Sequence, residues 1–115
     1  MKKFLVLYLA PSSVLADWAK TDPTQRKAAE EKMQAEWQRW MKTHERLLAD
    51  KGAGVGKTKR VTAKGLSDGK NDIMLYAIVE AETQDAAAKA FQDHPHLQIP
   101  EASIEIMALN PMSGM

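Results

Sequence analysis

Residues 4–10 read FLVLYLA, and residues 73–79 read IMLYAIV. Apolar side chains stand at consecutive positions in both stretches, whereas a strand with one solvent-facing side alternates apolar and polar residues. We therefore expect two strands that are buried on both faces and lie at the centre of a sheet. Two other stretches, residues 55–63 (VGKTKRVTA) and 103–111 (SIEIMALNP), mix apolar and charged residues and are expected at the sheet edges.

Two helical patterns separate these strands. A long helix is expected to begin at Asp22, a residue type that caps helix N-termini, and to stop at Gly52. A second helix is expected over residues 83–94 (TQDAAAKAFQDH), with Thr83 as its cap and Pro95 as its end. Spacings of three and four define one face of the long helix, which carries Ala29, Met33, Trp37, Trp40, His44 and Leu47.

The order of elements is βαββαβ, with an additional helical turn expected over residues 12–21. This order is typical of the ferredoxin-like α+β fold, an antiparallel sheet of strand order 4-1-3-2 with both helices on one face. The chain of 115 residues is expected to form one domain over residues 1–115. Because two helices cover only one face, the apolar face left over predicts a homodimer packed sheet to sheet.

The composition is that of an ordinary globular protein, with 44% apolar and 27% charged residues and no cysteine. The N-terminal apolar run of residues 4–10 is short for a signal peptide and is followed at once by polar residues, so we interpret it as a strand. No stretch approaches the ~20 apolar residues of a membrane span. The sequence therefore predicts a cytoplasmic protein with no membrane partner.

The net charge of +1 hides an uneven distribution. Residues 51–70 carry six basic residues against Asp68, a balance of +5, whereas residues 71–115 carry one lysine against seven acids, a balance of −6. No aromatic residue lies among the basic ones to stack on a base. Lysines that guard an exposed strand explain the pattern better than a nucleic-acid surface, and no nucleic-acid partner is expected.

The glycine-rich stretch GAGVGKTK at residues 52–59 resembles a phosphate loop. The motif requires G-x-x-x-x-G-K-[ST], and the first glycine of that pattern would fall at position 51, which is lysine. A phosphate loop also lies between a strand and a helix, whereas here a helix is expected before it and a strand after it. We expect no nucleotide site.

Residues 86–109, AAAKAFQDHPHLQIPEASIEIMAL, resemble the end of YCII-related proteins, a family of the dimeric α/β-barrel superfamily, and the element order is similar over most of the chain. The resemblance implies a dimeric α/β barrel and a small enzyme without a cofactor, with a His–Asp pair in one branch. That pair has no clear counterpart here. The last strand also lacks the arginine common in the family.

Three histidines are candidates for chemistry. His44 lies on the apolar stripe of the long helix, where an imidazole needs a partner or a cavity. His94 can end the second helix as a cation, face a substrate or bind a metal; two histidines two positions apart, with His96, are a weak metal signal, and no metal site is assigned. We take His44 and His94 as the catalytic candidates.

The remaining candidates are polar or aromatic side chains that could line a ligand pocket, namely Tyr8, Trp37, Trp40, Tyr76 and His96. Two hypotheses follow. The first is an enzyme without a cofactor that acts on a small organic molecule in the cleft between helices and sheet, with histidine as acid or base. The second is a dimeric module that binds a small ligand or accompanies another enzyme without catalysis.

Overall fold

The computed structural model describes residues 1–112, which form a mixed α+β fold. Within these residues no helix is both long and apolar enough to cross a membrane. The elements follow in the order β1 (Lys2–Leu9), α1 (Ser12–Ala19), α2 (Pro23–Thr43), β2 (Leu48–Gly54), β3 (Thr58–Thr62), β4 (Gly65–Gly69), β5 (Ile73–Ala81), α3 (Gln84–Lys89), a 3₁₀ turn (Pro95–Gln98) and β6 (Ser103–Ala108).

Four strands form the main sheet in the order β2-β5-β1-β6, and every neighbouring pair is antiparallel. The α+β class and the antiparallel sheet are therefore confirmed. The two strands with continuous apolar runs, β1 and β5, lie in the centre. In a single protomer one face of these strands is buried and the other is half-buried, so the second apolar face is not covered by the chain itself.

The other two strands form a separate hairpin, β3–β4, which we call the arm (residues 58–69). Residues 55–63 were expected as an edge strand of the main sheet, and this prediction is wrong, since β2 takes that edge. Strand β4, the partner of β3, follows at Gly65–Gly69. Pairing within the arm, with Arg60 opposite Ser67 at its centre, satisfies backbone groups that the main sheet does not reach.

Helix α2 begins as predicted, because a side-chain oxygen of Asp22 accepts hydrogen bonds from the backbone N–H of Thr24 and Gln25 at 3.1 Å each. It ends at Thr43, however, and not at Gly52. Gly52 lies in β2 with φ of 72°, and a Cβ there would lie 1.7 Å from the carbonyl oxygen of Tyr76. The glycine is required by this close strand approach and does not cap a helix.

The stretch of residues 52–59 runs from the end of β2 into β3. The predicted long helix exists but ends at Thr43, so a strand and not a helix leads into this stretch. A strand also follows it, so its backbone N–H groups do not begin a helix whose dipole could face a phosphate.

Helix α3 is capped by Thr83, whose hydroxyl accepts a hydrogen bond from the N–H of Ala86 at 3.1 Å. It ends at Lys89, five residues before the predicted end, and residues 90–93 form turns. Pro95 begins the 3₁₀ turn instead of stopping the helix. The early end lets Phe91 turn into the core, where it is 2% exposed.

Alternation along the central strands separates two faces of the main sheet. Helices α2 and α3 and the 3₁₀ turn cover one of them, and the other is called the helix-free face. The covered face and its helices contribute the core, namely Phe4, Val6, Tyr8, Ala77, Val79, Ala81, Trp40, Ala87 and Phe91. The molecule measures 19 Å in its shortest dimension, which corresponds to one sheet and one helix layer.

Candidate functional site

Two of the three histidines lie in the core, on either side of Pro95. His94 and His96 are 2% and 1% exposed. His94 has extended backbone geometry at the start of the 3₁₀ turn, and its Nδ1 accepts a hydrogen bond from the backbone N–H of His96 at 3.0 Å. The imidazole thus caps the turn in the way that a serine or aspartate caps a helix.

Aromatic rings surround the His94 imidazole. Its ring centroid lies 4.3 Å from that of Trp37 and 4.5 Å from that of Trp40, both close to edge-to-face. The centroids of Tyr8 and Phe91 follow at 5.1 and 5.8 Å. We call these five residues the ring cluster. The Nε2 of His94 is enclosed in it and has no hydrogen-bond partner within residues 1–112.

The ring cluster keeps His94 uncharged. Burial, and in smaller measure the neighbouring His96 and His44, together lower the pKa of His94 to about 3. A buried imidazolium has neither water nor a counter-ion to stabilise it. The interpretation of His94 as a helix-ending cation is therefore wrong. A base with a pKa near 3 accepts a proton from a substrate only weakly.

His96 ties the 3₁₀ turn to the sheet. Its Nε2 donates a hydrogen bond to the carbonyl oxygen of Leu9 at 2.9 Å, across 87 positions of the chain. Burial lowers the pKa of His96, while the backbone carbonyls of Leu9 and Ser103 act in the opposite direction. Both core histidines thus use a ring nitrogen to fix the backbone of the segment that follows α3.

His44 lies at the C-terminal end of α2 and is half-buried. Its Nδ1 donates a hydrogen bond to the carbonyl oxygen of Trp40 at 2.9 Å, and its ring stacks on the Trp40 ring with centroids 4.3 Å apart. This bond leaves Nε2 as the lone-pair nitrogen, and no partner reaches it within the described part of the chain. Trp40 in turn donates from Nε1 to the carbonyl oxygen of Ala90 at 3.2 Å.

The structure brings most of the candidate residues together. Tyr8 contacts Trp37, and its ring is also close to those of both core histidines. Burial raises the pKa of the Tyr8 hydroxyl, which stays protonated. Tyr76 does not belong to this group, because it points to the helix-free face. Among residues 1–112 no histidine forms a hydrogen bond or ion pair with a carboxylate, the arrangement that activates a catalytic imidazole.

A shallow cavity of about 520 Å³ lies on the helix-free face beside the base of the arm and is open to solvent. Its floor is apolar, with Tyr76 as the polar group, and its rim carries lysine, threonine and asparagine. Asn71 braces this rim, because it donates to the Thr58 hydroxyl at 3.2 Å and accepts from the N–H of Ile73 at 3.0 Å. The lining residues are Leu5, Leu7, Val55, Gly56, Lys57, Thr58, Lys59, Asn71, Ile73 and Tyr76.

Apart from Tyr76, the sequence did not indicate the residues of this cavity. Alternation along β1 does assign Leu5 and Leu7 to the face opposite Val6, so the floor had a detectable signal. The rim had no such sequence signal, because the position of Lys57 depends on the conformation of residues 55–57, which connect β2 to β3.

Within residues 1–112 no three histidine or acidic residues cluster as metal ligands do. The chain matches no family model, and no curated protein is significantly similar to it. The relationship to YCII-related proteins therefore stays a prediction.

Proposed function

We propose that this protein is a homodimeric module that binds a small organic molecule on the helix-free face of its sheet. The shallow cavity of about 520 Å³ beside the base of the arm is the observation that carries the proposal. Its volume lies within the range of about 300–1,000 Å³ found for small-molecule sites, and an apolar floor with a few polar groups is typical of such sites.

The lining indicates the kind of ligand. Leu7 and Ile73 offer apolar contacts, Tyr76 offers a hydroxyl, and Lys57 offers a positive charge that no acidic side chain neutralises within residues 1–112. A flat apolar body with one anionic group, such as an aromatic carboxylate, complements these groups. The absence of a phosphate-loop arrangement is consistent with a ligand other than a nucleotide.

The packing of the ring cluster supports a binding module over a histidine enzyme in the helix–sheet cleft. Aromatic rings fill the space beside His94, and its Nδ1 is engaged by the His96 N–H. A substrate there would have to displace core side chains. Closely packed interiors tolerate such displacement poorly.

One observation favours acid–base catalysis as a second candidate. His44 is half-buried, and in the neutral ring the hydrogen bond from Nδ1 to the Trp40 carbonyl leaves Nε2 as the acceptor. A substrate at the end of α2 could use it as a base. If this candidate is correct, His44→Gln abolishes turnover of a substrate without changing the binding of benzoate on the helix-free face.

The proposal includes a ferredoxin-like arrangement of the main sheet, of order 4-1-3-2, in which the arm is an insertion. Two such sheets would face each other in a dimeric α/β barrel. The half-buried apolar side chains on the helix-free face support this dimer, since exposed patches of this kind mark partner surfaces. The cytoplasm remains the predicted location.

The ligand class is tested with three probes that share one ring, namely benzoate, benzyl alcohol and benzylamine. Thermal unfolding should show a rise in melting temperature with benzoate, a smaller one with the alcohol and none with the amine. Lys57→Ala should remove the preference for benzoate, whereas Lys64→Ala, an identical charge change at the arm tip, should retain it. Equal shifts with all three probes, or none with any, would contradict the proposal.

A further inference from the structure

The arm is a hairpin with little support from the rest of its own chain. Its two five-residue strands pair only with each other, and every residue of the arm is exposed except the two at its base, Thr58 and Gly69. An isolated two-stranded hairpin is marginally stable in water. A partner that covers one side of it would supply the missing stabilisation.

The two sides of the arm differ in chemistry. Residues directly opposite each other in an antiparallel pair share a side, so Val61 lies beside Leu66 and Lys59 beside Asp68. Val61 and Leu66 are 74% and 79% exposed. The opposite side carries polar residues, including Thr62. One side of the arm therefore carries an exposed apolar pair next to an ion pair, a combination suited to packing against another protein surface.

A complementary surface exists on the helix-free face of the main sheet. The strand register aligns Met107, Leu5 and Ile78 in one row across β6, β1 and β5. The next row places exposed Glu105 beside Leu7. Met107 is 39% exposed. An apolar row with a carboxylate at its border thus faces solvent in a single protomer.

Charge and shape favour a second copy of this chain as the occupant. Between residues 57 and 70 the chain carries five basic residues against Asp68, and the receiving surface carries Glu105. The arm of a protomer does not cover its own sheet, because the shortest dimension of 19 Å leaves no room for a third layer. A two-fold axis brings both arms onto both faces at once.

We propose that the arm of each protomer packs its Val61–Leu66 side on the Met107–Leu5–Ile78 row of a second copy, with arm lysines next to Glu105. This contact rests on the homodimer of the proposed function and specifies which residues hold it. The partner's arm then closes the open side of the helix-free face, so that the ligand cavity is complete only in the dimer.

The first test is the dissociation constant of the dimer by sedimentation equilibrium. The variant V61S/L66S should raise it by about tenfold or more, because each dimer loses four apolar side chains from its two arm contacts. The control T62S/S67A, on the other side of the arm, should leave it unchanged. Glu105→Lys should also weaken the dimer. A dimeric wild type whose dissociation constant V61S/L66S does not change would overturn the arm contact alone; a monomeric wild type would overturn the dimer as well.

A second test does not depend on destabilising the arm. The chain has no cysteine, so new thiols report proximity without background. Under mild oxidation, Leu66→Cys with Met107→Cys should form a disulfide-linked dimer, whereas Leu66→Cys with exposed Lys32→Cys should form little. Equal cross-linking in both pairs, or none in the first, would refute the contact.

Discussion

Val6 and Leu7 are neighbours in β1, yet they meet different surroundings. Val6 is fully buried under the helices, whereas Leu7 is half-buried and lines an open cavity. On the helix-covered face, here called the closed side, aromatic rings and histidines fill the space, and most of their ring nitrogens form hydrogen bonds. On the other face, an apolar floor meets a lysine-bearing rim. This difference is why we propose ligand binding on the side that the chain leaves open, whereas the side that it closes is packed as a core.

The closed side also shows how a sequence signal for chemistry can arise from packing. His94 and His96 look like a catalytic or metal pair in the sequence. In the fold, one accepts a backbone hydrogen bond within the 3₁₀ turn and the other donates one to Leu9. Imidazoles suit this task because they pair a backbone group while presenting a flat ring to the core.

We expect the largest loss of stability from a change where edge strand β2 pairs with β5, because both faces of the sheet depend on this pairing. Gly52→Ala would set a Cβ against the Tyr76 backbone at a positive φ. It should prevent folding or lower the free energy of unfolding by more than about 4 kcal/mol in a denaturant titration. Gly56→Ala is the control, because no atom lies within 4 Å of its Cβ position. Equal stability of the two variants would refute the register of β2.

The next largest loss of stability is expected from a core tryptophan, compared with a tryptophan at the surface. Trp40 is 7% exposed, whereas Trp18 on α1 is 38% exposed. Trp40→Ala should lower the free energy of unfolding by about 3–5 kcal/mol, because it leaves a cavity in the ring cluster. Trp18→Ala should cost about 1 kcal/mol, measured in the same titration. A smaller loss for Trp40 than for Trp18 would contradict the assignment of the core.

Acid should destabilise the closed side through its histidines. The pKa of His94 is lowered from 6.5 to about 3 on folding, so the unfolded chain binds more protons between these pH values. Stability present above pH 6.5 is therefore lost as the pH falls. From His94 alone, the free energy of unfolding should be about 2 kcal/mol lower at pH 5 than at pH 7.

His94→Asn provides the matched control for this pH dependence. The asparagine oxygen can accept the His96 N–H bond in place of Nδ1, but the side chain does not titrate. Its unfolding free energy should vary less between pH 7 and pH 5 than that of the wild type. An unchanged slope would show that His94 does not titrate on unfolding in this range.

The sequence predicts the elements whose signals are local. The apolar runs of β1 and β5 and the caps Asp22 and Thr83 are of this kind. Strand β2 was missed because LADKGAG has no alternating pattern and poor strand propensity, so its conformation depends on pairing with β5. Strand β4 was not predicted either, because it has no apolar run and glycines bound it at both ends.

The candidate site was predictable residue by residue but not as an arrangement. Spacing placed Trp37 and Trp40 on one helix face, and both enter the core region. That His96 bonds to Leu9 could not be foreseen, because the contact joins distant parts of the chain. No sequence signal distinguishes the sheet face of Tyr76 from that of Tyr8, because a shift of one residue in strand register moves a side chain to the opposite face.

The most direct test of where binding occurs is a two-dimensional ¹H–¹⁵N NMR titration of the intact protein with benzoate. The amide signals of Leu7, Ile73 and Tyr76 should shift in a saturable manner, and those of Lys57 and Asn71 at the rim should follow. The indole signals of Trp37 and Trp40 should stay in place. Saturable shifts confined to these indoles and the His94 amide would place binding in the helix–sheet cleft and contradict the account.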